Sequence, residues 1–292
     1  MFIKQNDKIL ILGAKGSLGK ELMRVFGNDY RLTLWDREEI DISDKELVTK
    51  KIKEIKPQYI INAAAYNSVD KCEEISKEFE LAKKINSKAV GYLAEVAIEI
   101  EATLVHYSSD YVFSGENKKG YKEDDEPGPI NKYGESKLLG EKELISRSSK
   151  GLKWYLIRTS KLFGPKGESG ASKPSFFSIM HKLSEESEAL DVIDEEVSCF
   201  TYSTDLAITT KELIESDKGS GIYHVVNNGP CTWYEAAREY FKLAGINVKV
   251  NPVKSDKFSR PAKRPKYSVL INTKLKPLRN YKEALKDYLD SQ

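Results

Sequence analysis

Tyr133 and Lys137 are the two residues whose types and spacing best suit proton transfer. They stand four positions apart in the segment Tyr133–Ser146, which has a helical pattern, so both side chains project from one face. A phenol with an ordinary pKa of about 10 can donate its proton to a carbonyl oxygen if nearby positive charge stabilises the phenolate. A lysine ammonium one helical turn away would supply that charge. Of the 16 tyrosines, only Tyr133 has a lysine at the fourth position after it.

A serine upstream would complete such a site. The segment His106–Gly115 (HYSSDYVFSG) follows an apolar run that predicts a strand, and Ser109 falls at its carboxyl end. A hydroxyl there could hydrogen-bond the carbonyl oxygen of a substrate. Serines in loops usually just form turns, so it is the conjunction with Tyr133 and Lys137 that favours a catalytic role. Together the three residues indicate reduction of a carbonyl group.

Three glycines form a turn that suits the pyrophosphate of a dinucleotide. Gly13, Gly16 and Gly19 directly follow the first predicted strand and open the first predicted helix. A turn this tight needs residues that accept positive φ, and a pyrophosphate approaches the backbone only where side chains are absent. The helix then offers N–H groups and the positive end of its dipole. The spacing GxxGxxG is one residue longer than the commonest fingerprint, and a loop without a ligand is the alternative interpretation.

Residues that follow the next predicted strands support the dinucleotide interpretation. Asp36 ends the second strand, about where an acid would meet the adenosine ribose hydroxyl. Arg37 beside it could instead accommodate a 2′-phosphate, so the sequence leaves NAD and NADP open. Asp41, Ile42 and the run Asn62–Tyr66 (NAAAY) lie at the same edge, where small alanines permit close approach of a cofactor.

Short apolar runs alternate with amphipathic segments through the first half of the chain. The runs are rich in Ile, Val and Leu and mostly continuous, as expected for strands buried on both faces. This alternation predicts an α/β fold with a Rossmann-type, doubly wound parallel sheet. The predicted strands are Lys8–Leu12, Arg31–Trp35, Gln58–Asn62, Thr103–Tyr107 and Trp154–Arg158. The predicted helices are Leu18–Phe26, Lys45–Ile55, Lys77–Ile100 and Tyr133–Ser146.

This regularity stops near Phe163, and we expect a smaller C-terminal substrate-binding domain beyond it. Gly164–Pro174 is rich in Gly, Ser and Pro and predicts a loop. The predicted dinucleotide-binding domain comprises residues 1–165 plus about 203–228, and the substrate-binding domain comprises 166–202 and 229–292. Elements predicted in this half are helices at Phe176–Leu183, Thr204–Ile214, Trp233–Ala244 and Tyr281–Leu289, and strands at Leu190–Ile193 and Gly221–Val226, the latter returning to the sheet.

The composition argues against several classes of function. The 47 basic residues nearly balance the 45 acidic ones, so the chain lacks the concentrated basic face of proteins that bind nucleic acid or membranes. The 3 cysteines form no CxxC pair and the 3 histidines have no ligand spacing, so we predict no disulfide framework and no metal site. No stretch approaches the ~20 apolar residues of a membrane span, and we expect a cytoplasmic protein.

Several segments, in this order, resemble one known family. They are GAKGSLG, NAAAYNSVDKCE, HYSSDYVFSG, YGESKLLGE, LIRTSKLFG, TWYEAA and RPAKRPKYSVL. The set resembles the extended short-chain dehydrogenase/reductases and, within them, is similar to the dTDP-4-dehydrorhamnose reductase family over nearly the whole chain. The resemblance implies reduction of the 4-keto group of a nucleotide-activated 6-deoxyhexulose with NADPH or NADH, in dTDP-rhamnose and polysaccharide biosynthesis.

The resemblance also implies a role for individual residues. Those expected to bind the cofactor are Gly13, Gly16, Ser17, Leu18, Gly19, Asp36, Arg37, Asp41, Ile42, Ala64, Ala65, Tyr66 and Tyr107, together with Tyr133 and Lys137. The expected catalytic residues are Ser109, Tyr133 and Lys137, with Asn86 supporting the lysine. The residues expected to face the sugar nucleotide are Ser109, Asp110, Tyr111, Lys161 and Arg260.

The sequence departs from the family's usual pattern where the sugar is expected. Lys161 stands where the pattern has Trp, and residues 195–201 (EEVSCFT) stand where it commonly reads DQxGxPT. Two alternatives stay open: a nucleotide-sugar dehydratase or epimerase, and a non-catalytic, NADP-binding regulatory subunit of methionine adenosyltransferase. The dehydratase is disfavoured because Tyr111 rather than Glu follows Asp110, and the intact Ser–Tyr–Lys set disfavours the regulatory subunit. The expected partner is a nucleotide sugar, and a homodimer is compatible with the resemblance.

Overall fold

A parallel sheet of six strands forms the centre of the protein. The structure is a computed structural model that describes residues 7–170, 172–216 and 218–291. Its strands are β1 (Lys8–Leu12), β2 (Arg31–Trp35), β3 (Tyr59–Asn62), β4 (Thr103–Ser109), β5 (Lys153–Thr159), β6 (Leu162–Phe163), β7 (Ala189–Ile193), β8 (Thr201–Tyr202), β9 (Gly221–His224) and β10 (Lys249–Val253). The sheet has the order β2-β1-β3-β4-β5-β9, and every neighbouring pair is parallel.

Helices connect these strands. They are α1 (Ser17–Phe26), α2 (Lys45–Ile55), α3 (Val69–Glu74), α4 (Ser76–Lys83), α5 (Ala89–Glu99), α6 (Lys132–Ile145), α7 (Phe176–Glu186), α8 (Ser203–Glu215), α9 (Trp233–Ala244) and α10 (Tyr281–Asp290). One π-helical turn, Lys84–Lys88, joins α4 to α5. Within the described ranges, no helix is long and apolar enough to cross a bilayer.

Both faces of the sheet are buried beneath helices. Ile60 and Leu104 point to the face covered by α2 and α5. Ile61 and Val105, the next residues along the same strands, point to the face covered by α1 and α8. This arrangement explains why the strand segments are continuously apolar. The predicted α/β class and the doubly wound parallel sheet are confirmed.

The strand order creates a crevice at the carboxyl edge of the sheet. The chain passes from β1 outward to β2 and then returns to place β3 on the other side of β1. The loops after β1 and β3 therefore diverge to opposite faces, which is where open α/β sheets bind ligands.

A separate apolar cluster lies in the C-terminal part. It is built around Phe177, Tyr240 and Tyr281 on helices α7, α9 and α10, and beside it β7 pairs in parallel with β10. β9 pairs with β5 and returns the chain to the main sheet, as expected. The division at 165, 203 and 228 stays a prediction, and residues 1–6, 171, 217 and 292 of those predicted ranges lie outside the described residues.

The structure adds elements that the sequence pattern did not indicate. β10 is a strand although it contains Pro252, which a pattern-based prediction would reject; it pairs only with β7 in a small two-stranded sheet, where a missing N–H is tolerated. The predicted long helix Lys77–Ile100 is present, but one widened turn interrupts it at Lys84–Lys88. Such turns are frequent at functional positions, and this one contains Asn86.

Candidate active site

A cavity of about 1230 Å³ opens along the carboxyl edge of the sheet. It runs from the glycine turn after β1, past the ends of β3 and β4, to the segment that follows β5 and to Trp233 of α9. Every residue predicted to bind cofactor or substrate lines it, with the exception of Arg260; Asn86, which was predicted to support the lysine, also lies outside. The topology therefore gathers residues from five strand ends into one space.

The glycine turn is shaped by three different steric requirements. Gly13 adopts φ +76°, and a Cβ there would lie 2.7 Å from the backbone nitrogen of Ala64. A Cβ on Gly19 would overlap the carbonyl oxygen of Gly13. Gly16 has φ −71° at the N-cap of α1, so the expectation of positive φ is wrong for this residue. Its absent side chain matters because the first turn of α1 faces the cavity there.

Asp36 braces the glycine turn. Its carboxylate is buried and accepts hydrogen bonds from the backbone N–H groups of Lys15 at 3.0 Å and Arg37 at 2.9 Å. The side chain of Arg37 is exposed at the rim of the cavity. Ser17 also forms a hydrogen bond within the protein, because its hydroxyl donates to the carbonyl of Pro165 at 2.8 Å.

The side chain of Asn86 holds the backbone that follows β3. Its Oδ1 accepts from the N–H of Tyr66 at 2.9 Å, and its Nδ2 donates to the carbonyl of Tyr66 at 2.9 Å. The same Nδ2 donates to Ser136 Oγ at 2.9 Å. Asn86 is buried outside the cavity, and its side chain positions Tyr66 and Ser136, the residue before Lys137 on α6; its support of Lys137 stays a prediction.

Helix α6 presents Tyr133 and Lys137 to the cavity. The helix begins after Asn131, whose side chain caps it by accepting from the N–H of Gly134 at 2.8 Å. Gly134 has no side chain where one would collide with the carbonyl of Tyr111, so the helix packs directly against the segment after β4. Lys137 Nζ donates to the carbonyl of Tyr107 at 2.6 Å, which anchors the ammonium at the end of β4.

Ser109 and Tyr133 are neighbours on the wall of the cavity, and the hydroxyl of Ser109 acts to lower the pKa of the Tyr133 phenol, as a site for one carbonyl oxygen requires. Ser109 Oγ also donates to Asp110 Oδ1 at 3.0 Å and accepts from the N–H of Tyr111 at 3.2 Å. The ring of Tyr111 packs edge-on against that of Tyr133, with 5.7 Å between centroids. The tyrosine is thus held by one polar and one aromatic neighbour.

The electrostatics of the pair suit proton donation. Burial, reinforced by the carboxylate of Asp110, raises the pKa of Tyr133, so the residue is a neutral phenol at physiological pH. Burial lowers the pKa of Lys137 to about 8, so its ammonium is present at neutral pH and is lost as the pH rises past that value. A protonated donor and a nearby cation coexist in the neutral range.

The sugar side of the cavity is a region of paired charges. Arg260 was expected to contact a diphosphate, but its guanidinium forms an ion pair with Glu196, and it does not line the cavity. Glu196 also accepts from Trp233 Nε1 at 3.0 Å. Arg264, which the sequence reasoning missed, binds both carboxylate oxygens of Asp70 at 2.9 and 2.7 Å. The segment RPAKRP that contains both arginines was the signal available for this region.

Comparison with known proteins assigns the family. A family model described as the RmlD substrate binding domain matches residues 7–292. The chain belongs to this family.

Relatives within and around the RmlD family match over nearly their full length. The chain is 35% identical over 290 residues to the spore coat polysaccharide biosynthesis protein SpsK of Bacillus subtilis, covering 98% of each chain. It is also 35% identical to the dTDP-4-dehydrorhamnose reductase of Escherichia coli, covering 96% of this chain and 94% of the relative. The crystal structure of dTDP-4-dehydrorhamnose reductase from Bacillus anthracis in complex with NADP superimposes with a TM-score of 0.90 at 34% identity, covering 98% of this chain and 100% of the other.

Proposed function

We propose that the chain reduces the 4-keto group of a nucleotide-activated 6-deoxyhexulose with NADPH, as a dTDP-4-dehydrorhamnose reductase. The observation that supports this most directly is the convergence of the glycine turn, Ser109, Tyr133 and Lys137 on one cavity. The names of the family relatives point to the same chemistry.

The residues of the cavity fit a dinucleotide. At Gly13 a Cβ would collide with the backbone of Ala64, so glycine lets the loops after β1 and β3 pack closely at the wall of the cavity beside the N-terminus of α1. An anion placed there gains from the helix dipole and from backbone N–H groups. The exposed guanidinium of Arg37 beside Asp36 suits a 2′-phosphate, which is why we propose NADPH rather than NADH. When bound, this cofactor supplies the hydride for the carbonyl carbon.

The chain's own residues would manage the proton. In the substrate complex the Ser109 hydroxyl would turn its proton from Asp110 Oδ1 to the keto oxygen and orient that oxygen toward Tyr133. Tyr133 transfers its phenolic proton to that oxygen as negative charge develops on it, and the product is an alcohol. Lys137, held by the carbonyl of Tyr107, stabilises the phenolate that remains. Solvent then returns a proton to Tyr133.

The dehydratase alternative is further disfavoured by the state of Asp110. Its carboxylate is buried and accepts hydrogen bonds from Ser109 and Ser268, at 3.0 and 2.6 Å. A carboxylate that is occupied in this way is not free to move a proton at a sugar carbon. The regulatory-subunit alternative is disfavoured because Ser109, Tyr133 and Lys137 are all present on the cavity, a set that a protein without catalysis does not need.

The proposed substrate and cofactor indicate where in the cell the protein works. Nucleotide sugars and NADPH are cytoplasmic metabolites, so we place the enzyme there. A homodimer stays a prediction of the family resemblance.

A screen of 4-keto nucleotide sugars tests the proposal. Purified protein is mixed with each keto sugar and with NADPH or NADH, the nicotinamide absorbance is followed, and the product is identified by NMR. We expect loss of absorbance and formation of the 4-hydroxy sugar, with NADPH preferred. Turnover of a keto sugar without net loss of reduced cofactor would instead support an epimerase.

A further inference from the structure

Lys161 carries a buried ammonium that has no hydrogen-bond partner in the part of the chain that the structure describes. The residue lies just beyond the end of β5, adopts φ +37° and lines the cavity. Its Nζ sits 3.5 Å from the centroid of the Trp233 ring and 5.2 Å from that of Phe200. The aromatic faces attract the cation but accept none of its N–H groups in the manner of an oxygen.

The nearby carboxylates are occupied by other donors. Asp110 accepts from Ser109 and Ser268, and Glu196 accepts from Trp233 and is paired with Arg260. Both acids favour the charged form of Lys161 electrostatically, yet among the described residues neither forms an ion pair with it. Burial lowers the pKa of Lys161 to about 8, which reflects the cost of holding this charge without an acceptor. Buried polar groups are normally satisfied, so a ligand is the natural source of the missing acceptor.

The sheet order indicates which ligand reaches Lys161. The glycine turn and Asp36 follow β1 and β2, Ser109 ends β4, and Lys161 follows β5 on the far side of β4 from the glycine turn. A dinucleotide that extends from the glycine turn to Tyr133 therefore ends before it reaches Lys161. The space beside Lys161 is left to the substrate that Tyr133 protonates.

We infer that Lys161 is a specificity-determining residue whose ammonium donates a hydrogen bond to a ring hydroxyl of the hexose. The inference rests on the proposed function. A deoxy analogue that lacks this hydroxyl would leave the ammonium buried without an acceptor. The site would therefore reject such analogues. An oxygen of the diphosphate is the other acceptor that a nucleotide sugar could present, and the experiment separates the two.

The variant Lys161→Met tests the contact, because methionine is unbranched and only one heavy atom shorter, and it removes the charge and the donors. We expect the KM for the 4-keto sugar to rise about 10- to 100-fold, the usual loss for a hydrogen bond to a charged group. NADPH affinity should stay unchanged and kcat should change less than KM. Lys153→Met, at the exposed amino end of the same strand, is the matched control and should behave as the wild type.

Deoxy analogues test the contact in the wild-type protein, independently of any variant. The 2-deoxy and 3-deoxy forms of the 4-keto sugar are compared with the parent sugar. The KM for one of them should rise about 10- to 100-fold in the wild type, and that same analogue should no longer distinguish wild type from Lys161→Met. If Lys161→Met raised the KM by the same factor for the parent sugar and for both analogues, the inference would be overturned.

Two further readouts separate this contact from other roles. The inhibition constant of free dTDP should be the same for wild type and Lys161→Met, and a parallel loss of dTDP affinity would assign Lys161 to the diphosphate and overturn the inference. The Tm of the variant should be equal or higher, because an unsatisfied buried charge is removed. A wild type that reduces no 4-keto sugar would defeat the proposed function and this inference together, whereas an active enzyme indifferent to Lys161→Met would defeat this inference alone.

Discussion

The two ends of the cavity are built by different means. At the cofactor end the surface is mainly backbone and small residues, shaped by Gly13, Gly19 and Ala64, and the buried carboxylate of Asp36 stabilises the turn. At the sugar end the surface is made of charged and aromatic side chains, where Glu196 and Asp110 are saturated and Lys161 is not. The backbone surface of the cofactor end suits a ligand that is common to many enzymes. At the sugar end, single side-chain substitutions can change the substrate specificity while the fold is kept.

Replacement of Tyr133 by Phe should have the largest effect on turnover, because this residue lies between the two ends of the cavity, where the reaction takes place. We expect kcat to fall about 10²- to 10⁴-fold through the loss of general acid catalysis, while NADPH still binds. Single-turnover kinetics and calorimetry measure the two quantities. Tyr92→Phe, on α5 outside the cavity, is the control. Near-normal turnover in Tyr133→Phe would remove Tyr133 as the proton donor.

The variant Gly16→Val should damage the cofactor end alone. A Cβ at Gly16 lies 3.2 Å from the carbonyl oxygen of Gly13 and meets no other described atom within 4 Å, and Gly16 lines the cavity, so a larger side chain occupies the space proposed for phosphate. We expect NADPH affinity to fall about 100-fold, or about 3 kcal/mol, in calorimetric titrations. Gly128→Val is the control, because a Cβ at Gly128 meets nothing within 4 Å. Unchanged affinity in Gly16→Val would contradict the assignment of the phosphate turn.

A pH profile of kcat at saturating sugar tests whether turnover needs the positive charge of Lys137. The pKa of Lys137 is lowered to about 8, so the ammonium is complete below that pH and is lost above it. Since the cation stabilises the tyrosinate left by proton transfer, kcat should fall about tenfold per pH unit above about 8. A kcat that stays flat across that range would show that the charge of Lys137 is not needed for turnover.

The smallest effect is expected at the rim of the cofactor end. Arg37→Ala removes an exposed guanidinium proposed to meet the 2′-phosphate, so NADPH affinity should fall about tenfold or less while NADH affinity stays the same. Fluorescence titration with the two cofactors gives both values. An equal loss of affinity for NADPH and for NADH would mean that Arg37 does not contact the 2′-phosphate.

The same contrast explains how much could be predicted from the sequence. The glycine turn and the Tyr133–Lys137 pair are local patterns, and the sheet that carries them has strands whose apolar runs are plain in the chain. The contacts of the sugar end join residues far apart in sequence, such as Arg264 with Asp70 at a separation of 194 positions. No local pattern indicates such a pair, or the ion pair of Arg260 with Glu196, and the diphosphate contact expected of Arg260 stays a prediction.

Asn86 also shows why some contacts could not be predicted from the sequence. Its importance was predicted, but its role depends on a π-helical turn that widens the helix at Lys84–Lys88 and turns the amide toward Tyr66. Helical periodicity alone assumes regular turns, so it could not place this side chain. Residues that act through the backbone of another segment are found only once the fold is known.

Transfer of deuterium from labelled cofactor tests the central claim most directly. NADPH that carries deuterium at the reactive carbon of its nicotinamide ring is incubated with the protein and a 4-keto nucleotide sugar, and the product is examined by NMR and mass spectrometry. The proposed arrangement predicts a 4-hydroxy sugar with one deuterium on the former carbonyl carbon. A product without deuterium at that carbon, or no product from any 4-keto sugar, would contradict it.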